Sequence, residues 1–371
     1  MKKKFFALMI VWAFALNAVG TTFAAAKTNE TTKQGSQLAA LLPASDAAMT
    51  LNIQRLFSDA LPQILSGNQP MLAEIVRKID EVKTKTGFDL RQFEQVAIGV
   101  SNKKISAQEI EFAPVLLARG TFNANALIAL GKIAVGAKGS NIKYHEEKVG
   151  ERTIYVFTSP SAIVKTVPLP NKPKIPAAKT PSMFEKAIDK MFDRLSREFA
   201  VTAFDGNTLA IGSLARIRET LGTNQRIGSD VLNLVNRKPN AIANIGMRFP
   251  NGMSDFVPNL GNDEIGKNVA AIQYLSGAFD AGDGNGTISL SAKTLQPEQA
   301  KSMQEQLEGF QMLGKSFLGS SKIENKEIYG RMIENVKIAR LGNEITLDLQ
   351  VAQSDINVLL NKNKAQRSSS K

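Results

Sequence analysis

The 371 residues contain no cysteine. No disulfide can staple the fold, no thiolate can act as nucleophile or zinc ligand, and no lipid can be carried on a cysteine. Histidine occurs once, at His145, which excludes a zinc site built on two histidines. Tryptophan occurs once, at Trp12, and tyrosine four times, so rings for stacking bases or sugars are scarce. There is no Gly-x-Ser-x-Gly nucleophile elbow. Acidic residues are missing from two stretches. Residues 160–182 hold Lys165, Lys172, Lys174 and Lys179, and the tail 361–371 holds Lys362, Lys364, Arg367 and Lys371. Of the formal net charge of +12, these stretches supply four each and Lys2–Lys4 supply three, leaving +1 for everything else. A basic charge confined to such segments does not make a nucleic-acid groove, which needs clustered cations and aromatic platforms. It allows attraction of the linker and tail to anionic envelope polymer or lipid headgroups.

No segment after the N-terminal run is apolar enough to span a bilayer. The chain starts with three lysines, continues with an unbroken apolar run, Phe5 to Leu16, and reaches Ala24-Ala25-Ala26. A positive head, a short apolar middle and an Ala-x-Ala end are the parts of a secretory signal peptide, here 1–26. The run is shorter than the roughly 18 residues of a membrane helix, which disfavours an uncleaved anchor. The expectation is export to the periplasm or beyond, with no transmembrane span in the mature chain.

Removal of 1–26 leaves 345 residues, enough for two ordinary domains or one large one. After a flexible segment, 27–37, the first α+β half is expected over 38–158. Residues 159–181 hold six of the fourteen prolines and read as an extended linker. A helix from Ser182 to about 198 and a hairpin about Asp205-Gly206-Asn207 complete the first half through 222. The second half is expected over 223–360, with a disordered basic tail, 361–371. Its long helix, near 296–317, carries an apolar stripe of Ala300, Met303, Leu307, Phe310 and Phe317. Strands are expected between that helix and a closing hairpin about Gly342-Asn343. The hairpins about Gly206-Asn207 and Gly342-Asn343, each followed by a short helix, can be laid over one another. So can the strand-to-helix passages 118–126 and 291–300. The fold class expected is α+β: two related halves, each an antiparallel sheet with amphipathic helices packed on one face.

Two short motifs carry a resemblance. Leu42-Pro43-Ala44-Ser45-Asp46 precedes the first strand, and Thr86-Gly87-Phe88-Asp89 follows the first long helix. With the duplicated layout, the chain resembles a loose group of exported bacterial proteins of unknown function. That resemblance implies export and an α+β build, and no activity.

The stretch Gly261-Asn-Asp-Glu-Ile-Gly266-Lys267-Asn268 is one residue from a phosphate loop, which needs Ser or Thr at 268 and a strand–loop–helix context. Two prolines precede it, and the residues after it alternate like a strand. The reading is a turn into a strand. Asp280, Asp283 and Asn285 are oxygen donors, but no register supplies the Gly and Glu of a calcium loop, so 280–287 reads as a hairpin turn. His145 and Glu147 would share one face of a strand. Ser101-x-x-Lys104 and Lys85-Thr86-Gly87 stand in the reverse of the order used by penicillin-binding enzymes. No catalytic, cofactor-binding or metal-ligating residue is assigned. The function expected is an exported, non-catalytic binding or envelope-associated protein. The alternatives are a carboxylate-dependent hydrolase of envelope polymer and a carrier of an apolar ligand. A hydrolase should show a cleft with two or more acids and a nearby lysine or His145. A carrier should show an apolar cavity of about 300 Å3 or more, and a binding module an exposed apolar or charged patch.

Overall fold

The computed structural model describes residues 37–106, 109–136, 142–159, 190–191, 193–195, 197–222, 225–249, 263–320 and 326–368. The signal sequence, most of the Pro/Lys linker, the start of the helix near 182 and the last three residues lie outside them. Helices and antiparallel strands alternate along the chain, the α+β class expected. The chain divides into two compact units.

The first unit is built from Gln37–Ala47 and Gln92–Gly228. Its strands are β2 (Phe93–Ser106), β3 (Glu109–Gly120), β4 (Lys143–Val149), β5 (Arg152–Thr158), β6 (Glu198–Asp205) and β7 (Thr208–Gly212), in the spatial order β2-β3-β7-β6-β5-β4. The β2–β3 hairpin stays paired close to its tip, with Lys104 opposite Ile110. Asp205 closes the β6–β7 turn by accepting the Asn207 amide at 3.1 Å. One helix, α3 (Ala124–Gly136), follows β3, and another, α4 (Leu214–Leu221), follows β7.

The second unit takes Ala48–Arg91 and the chain from Ser229 on. Its strands β1 (Ala47–Asn52), β8 (Ala243–Arg248), β9 (Ile272–Gly282), β10 (Asn285–Thr294), β11 (Lys337–Leu341) and β12 (Glu344–Ala352) lie in the order β11-β12-β10-β9-β8-β1. After β1, helix α1 runs through Ile53–Arg55, Leu56–Ala60 and Leu61–Ile64, its middle turn wound as a π-helix. Its Leu56, Leu61 and Leu65 pack with Ile242 and Ala281, which places this segment in the second unit. Helix α2 (Gln69–Thr86) is capped by Asn68 and ends at Gly87, whose φ of 74° suits a residue without a Cβ. The remaining helices are α5 (Ser229–Val235), α6 (Asp263–Ala270), α7 (Pro297–Ser320), α8 (Lys326–Asn335) and α9 (Gln353–Ser368).

Helices cover both faces of each unit's strands, correcting the one-face expectation. In the first unit Val135 of α3 packs on Phe157 and Phe199. The Leu42–Ser45 segment, bonded to α4, covers Gly99, which shares the opposite face with Val115 and Gly212. In the second unit Leu234 and Val235 of α5 close on Gly246, while α1 and α7 pack over the face carrying Leu275 and Ala281. The sign was present in β6 and β7. Successive residues Phe199-Ala200 and Thr208-Leu209-Ala210 are buried, the unbroken burial of a strand covered twice rather than once.

Three further expectations are corrected. The region before β11 is helix α8 rather than strand. Its apolar residues Ile328, Met332 and Ile333 recur at helical spacing, with Ile328 buried. Residues 361–368, expected to be disordered, continue α9; they hold no Gly or Pro and are rich in good helix formers. Residues 263–270 form α6 before β9 begins at Ile272.

Candidate functional site

The sequence motifs resolve into structural parts. Around Leu42–Asp46 the chain forms a buckle. Leu42 is fully buried. Ser45 Oγ donates to Pro43 O at 2.8 Å and accepts Arg216 Nη2 at 2.9 Å. Arg216 Nη1 donates to Ala44 O at 3.0 Å and to the Glu219 carboxylate. Asp46 accepts the Asn102 amide at 3.1 Å. A Cβ on Gly99 would meet Ser45 Oγ at 2.6 Å, so glycine is needed for close approach. Burial pushes the Arg216 guanidinium below its usual pKa, and Glu219 pulls it back. This is an anchored charge in a core. Thr86–Asp89 is likewise a stop. Phe88 is buried, and Asp89 accepts the Arg91 amide at 3.0 Å and its Nε at 2.8 Å. Hydrogen bonding from Arg91 lowers the Asp89 pKa to about 2.

The phosphate-loop resemblance dissolves in α6. The turn-into-strand reading is overturned, since the helix begins at Asp263. Gly266 and Lys267 therefore lie beyond its first turn, whereas a phosphate loop places them at the helix start. Asn268 is buried and its Nδ2 donates to Ser302 Oγ at 2.9 Å, tying α6 to α7. The 280–287 stretch is the β9–β10 hairpin. Asp283 and Gly284 have φ of 51° and 74°, the paired positive angles of a two-residue hairpin turn. Asp280 faces Arg55 at 3.2 Å. His145 is exposed on β4, and its neighbours are engaged elsewhere: Lys132 holds Glu146 at 2.8 Å, and Arg218 grips Glu147 at 2.7 and 2.5 Å. The Arg218 hydrogen bonds lower the Glu147 pKa. Ser101 and Lys104 lie along β2, in an extended chain. Among the described residues no cluster of three or more His, Asp or Glu could hold a metal ion.

Among the described residues two surface features stand out. The first is a groove of about 370 Å3 in the first unit, lined by Asn125, Glu151, Arg152, Tyr155, Phe204 and Asp205 among others. It holds two acids, but Asp205 is engaged by Arg119 at 3.4 Å and by the Asn207 amide, and the lining is too polar for an apolar carrier.

The second feature is apolar and helical. The packing face of α7 carries Ala300, Met303 and Leu307, continued by Gly314 and Leu318. Phe310 and Phe317, expected on that face, are 52% and 64% exposed, and Met312 and Leu313 are 73% and 66% exposed. The outer surface thus changes at Gly309 from Lys301, Glu305 and Glu308 to a run whose only charge is Lys315. In the first unit, α3 shows the same habit: Ala126, Ala129, Leu130 and Ile133 are exposed, Ile133 by 71%. Phe310 and Phe317 sit at the flank of the helical stripe, where a few tens of degrees decide burial.

No family model and no curated protein matches the chain. Among solved structures it is similar to crystal form III of TP0453, with TM-score 0.41 and 10% identity over 88% of this chain and 97% of that one. Crystal form I of TP0453 gives TM-score 0.36 and 9% identity over 88% and 96%. Among the described residues no helix is long and apolar enough to cross a membrane.

Proposed function

We propose that this chain is an exported, non-catalytic, envelope-associated binding protein built from two copies of one α+β plan. Topology supports the duplication. In the first unit a hairpin (β2–β3) leads into α3, and a later hairpin (β6–β7) returns with its second strand beside β3 and leads into α4. In the second unit β9–β10 leads into α7, and β11–β12 returns with its second strand beside β10 and leads into α9. In chain order the β4–β5 hairpin stands between α3 and β6, where the second copy has α8 between α7 and β11.

The observation that carries the function is the apolar outer face on the equivalent helices α3 and α7. Removal of such surface from water is favourable by about 25 cal/mol per Å2. Phe310, Leu313 and Phe317 lie on one side of α7, and their exposed parts leave on the order of 300–400 Å2, using 150–250 Å2 per large side chain. A stable protein–protein interface needs roughly 800 Å2 per partner, so this face is small for a dimer. It suits shallow contact with a lipid surface, where a half-helix with aromatic and aliphatic residues and one lysine can sit at the headgroup boundary. Lys315, together with the basic linker and tail of the sequence, favours anionic headgroups.

Vesicle flotation tests this. The purified protein should float with vesicles of phosphatidylcholine and phosphatidylglycerol. The double variant Phe310→Asp, Leu313→Asp should lose most of that association while keeping its circular dichroism, since both side chains already face solvent. Equal flotation of protein and variant, or none by either, refutes the reading.

A further inference from the structure

We propose that the groove of the first unit is a binding site for a neutral polyhydroxylated ligand, a saccharide. The inference is independent of the lipid-surface reading. The groove lies where three chain reversals meet: the β4–β5 turn at Gly150-Glu151, the end of β6, and the start of α3. Its volume of about 370 Å3 falls within the roughly 300–1,000 Å3 typical of small-molecule sites.

Its origin sets it apart from the shared scaffold. Glu151, Arg152, Thr153 and Tyr155 come from the β4–β5 hairpin, while Asn125, Phe204 and Asp205 come from elements with equivalents in the second unit. On the duplication proposed above, the β4–β5 hairpin is the part of the lining without a counterpart in the second unit. An added element that opens a polar recess over an otherwise common core is a place for a function that only this half performs.

The chemistry of the lining selects the ligand class. Charges balance: the Asp205 carboxylate faces Arg119 at 3.4 Å, and the exposed Glu151 adjoins the exposed Arg152. A balanced site favours neither an anion nor a cation. It does offer both hydrogen-bonding senses. Glu151 and Asp205 accept, Arg152 donates, and the Asn125 amide and Tyr155 hydroxyl do both. Vicinal hydroxyls of a sugar donate and accept at neighbouring oxygens, and planar carboxylate, amide and guanidinium groups engage such pairs two at a time. Two of these groups are held in place. The Arg152 guanidinium lies over the Phe204 ring, 5.0 Å from its centroid, and Asp205 is fixed by the Asn207 amide and Arg119. Held groups lose less freedom on binding, which favours affinity.

The test is titration of the purified protein, followed by nuclear magnetic resonance shifts, with chitotetraose, maltotetraose and inorganic phosphate. At least one oligosaccharide should bind with a Kd of about 1 mM or tighter, perturbing signals of Tyr155 and Asn125. Glu151→Ala and Arg152→Ala, both on an exposed turn, should each weaken that binding about tenfold, a change of roughly 1.4 kcal/mol. Asn125→Ala, on α3 rather than on the hairpin, should weaken it likewise, and unchanged resonances of the buried Ile154 and Val156 in all three variants exclude local misfolding. Binding of phosphate in place of the sugars, binding untouched by the three variants, or no binding of either oligosaccharide overturns the proposal. Release of new reducing ends would refute the non-catalytic reading and leave the site standing.

Discussion

Replacing Arg216 by methionine removes a guanidinium that is 3% exposed and holds the N-terminal buckle to α4. The magnitude follows from who is left behind. Ala44 O and Ser45 Oγ lose a charged donor, and such bonds are worth about 1.5–3 kcal/mol each. Against this, the folded state no longer carries the cost of keeping a cation out of water, which is several kcal/mol for a buried ion. Glu219 decides the balance. Its side chain is 53% exposed, so it returns to water and is not stranded as a buried charge. The penalty should therefore be about 2 kcal/mol, below the 3–5 kcal/mol seen when a buried ion loses its partner. Glu219→Gln leaves the buried Arg216 cation a neutral amide oxygen and the nearby Asp46 charge, and should cost about 1 kcal/mol, less than Arg216→Met. The pair Ser45→Ala with Arg216→Met should show a coupling of about 1 kcal/mol. Urea unfolding followed by amide exchange at Ala44–Asp46 measures all four. If Glu219→Gln destabilises as much as Arg216→Met, the ion pair and not the backbone anchorage holds the buckle, and this account fails.

Two more outcomes are expected. Asp89, with 16% side-chain exposure and a pKa lowered to about 2 by Arg91, binds fewer protons folded than unfolded between that value and 3.8. Its contribution is present above pH 3.8 and disappears as pH falls through about 2. It amounts to less than about 2 kcal/mol, because Arg91 and Lys83 are 42% and 56% exposed and screened. Asp89→Asn should thus lower the melting temperature at pH 7 and leave it unchanged near pH 2; an equal loss at both would show that packing, not charge, is at stake. Asn268→Ser completes the phosphate-loop pattern in sequence, yet should confer no affinity for Mg-ATP by calorimetry and should cost about 1 kcal/mol through the bond to Ser302. Nucleotide binding by this variant would reinstate the loop reading.

The turns were legible because their chemistry is local. Asp205-Gly206-Asn207, Asp283-Gly284 and Gly342-Asn343 close hairpins where they were expected, and Gly87 ends α2. Such positions need a backbone angle or a short polar side chain that few residues supply. The stretch 263–270 was misread because Asn-Val-Ala-Ala-Ile fits either period over so few residues. In region 326–335 the period itself is helical, since Ile328, Tyr329, Met332 and Ile333 stand at i, i+1, i+4 and i+5. The groove left no trace, since Asn125, Glu151 and Asp205 are brought together by three separate reversals.

By itself, the sequence determined the mixed helix-and-strand build, the hairpin positions and the chemistries that lack their residues, because each rests on neighbours within a few positions. Tertiary structure alone decided that α1 and α2 pack with the second unit. It alone turned Phe310 and Phe317 outward and set Arg216 beneath Ser45. Those outcomes depend on which surfaces meet, and contact between distant segments is set by packing rather than by local preference.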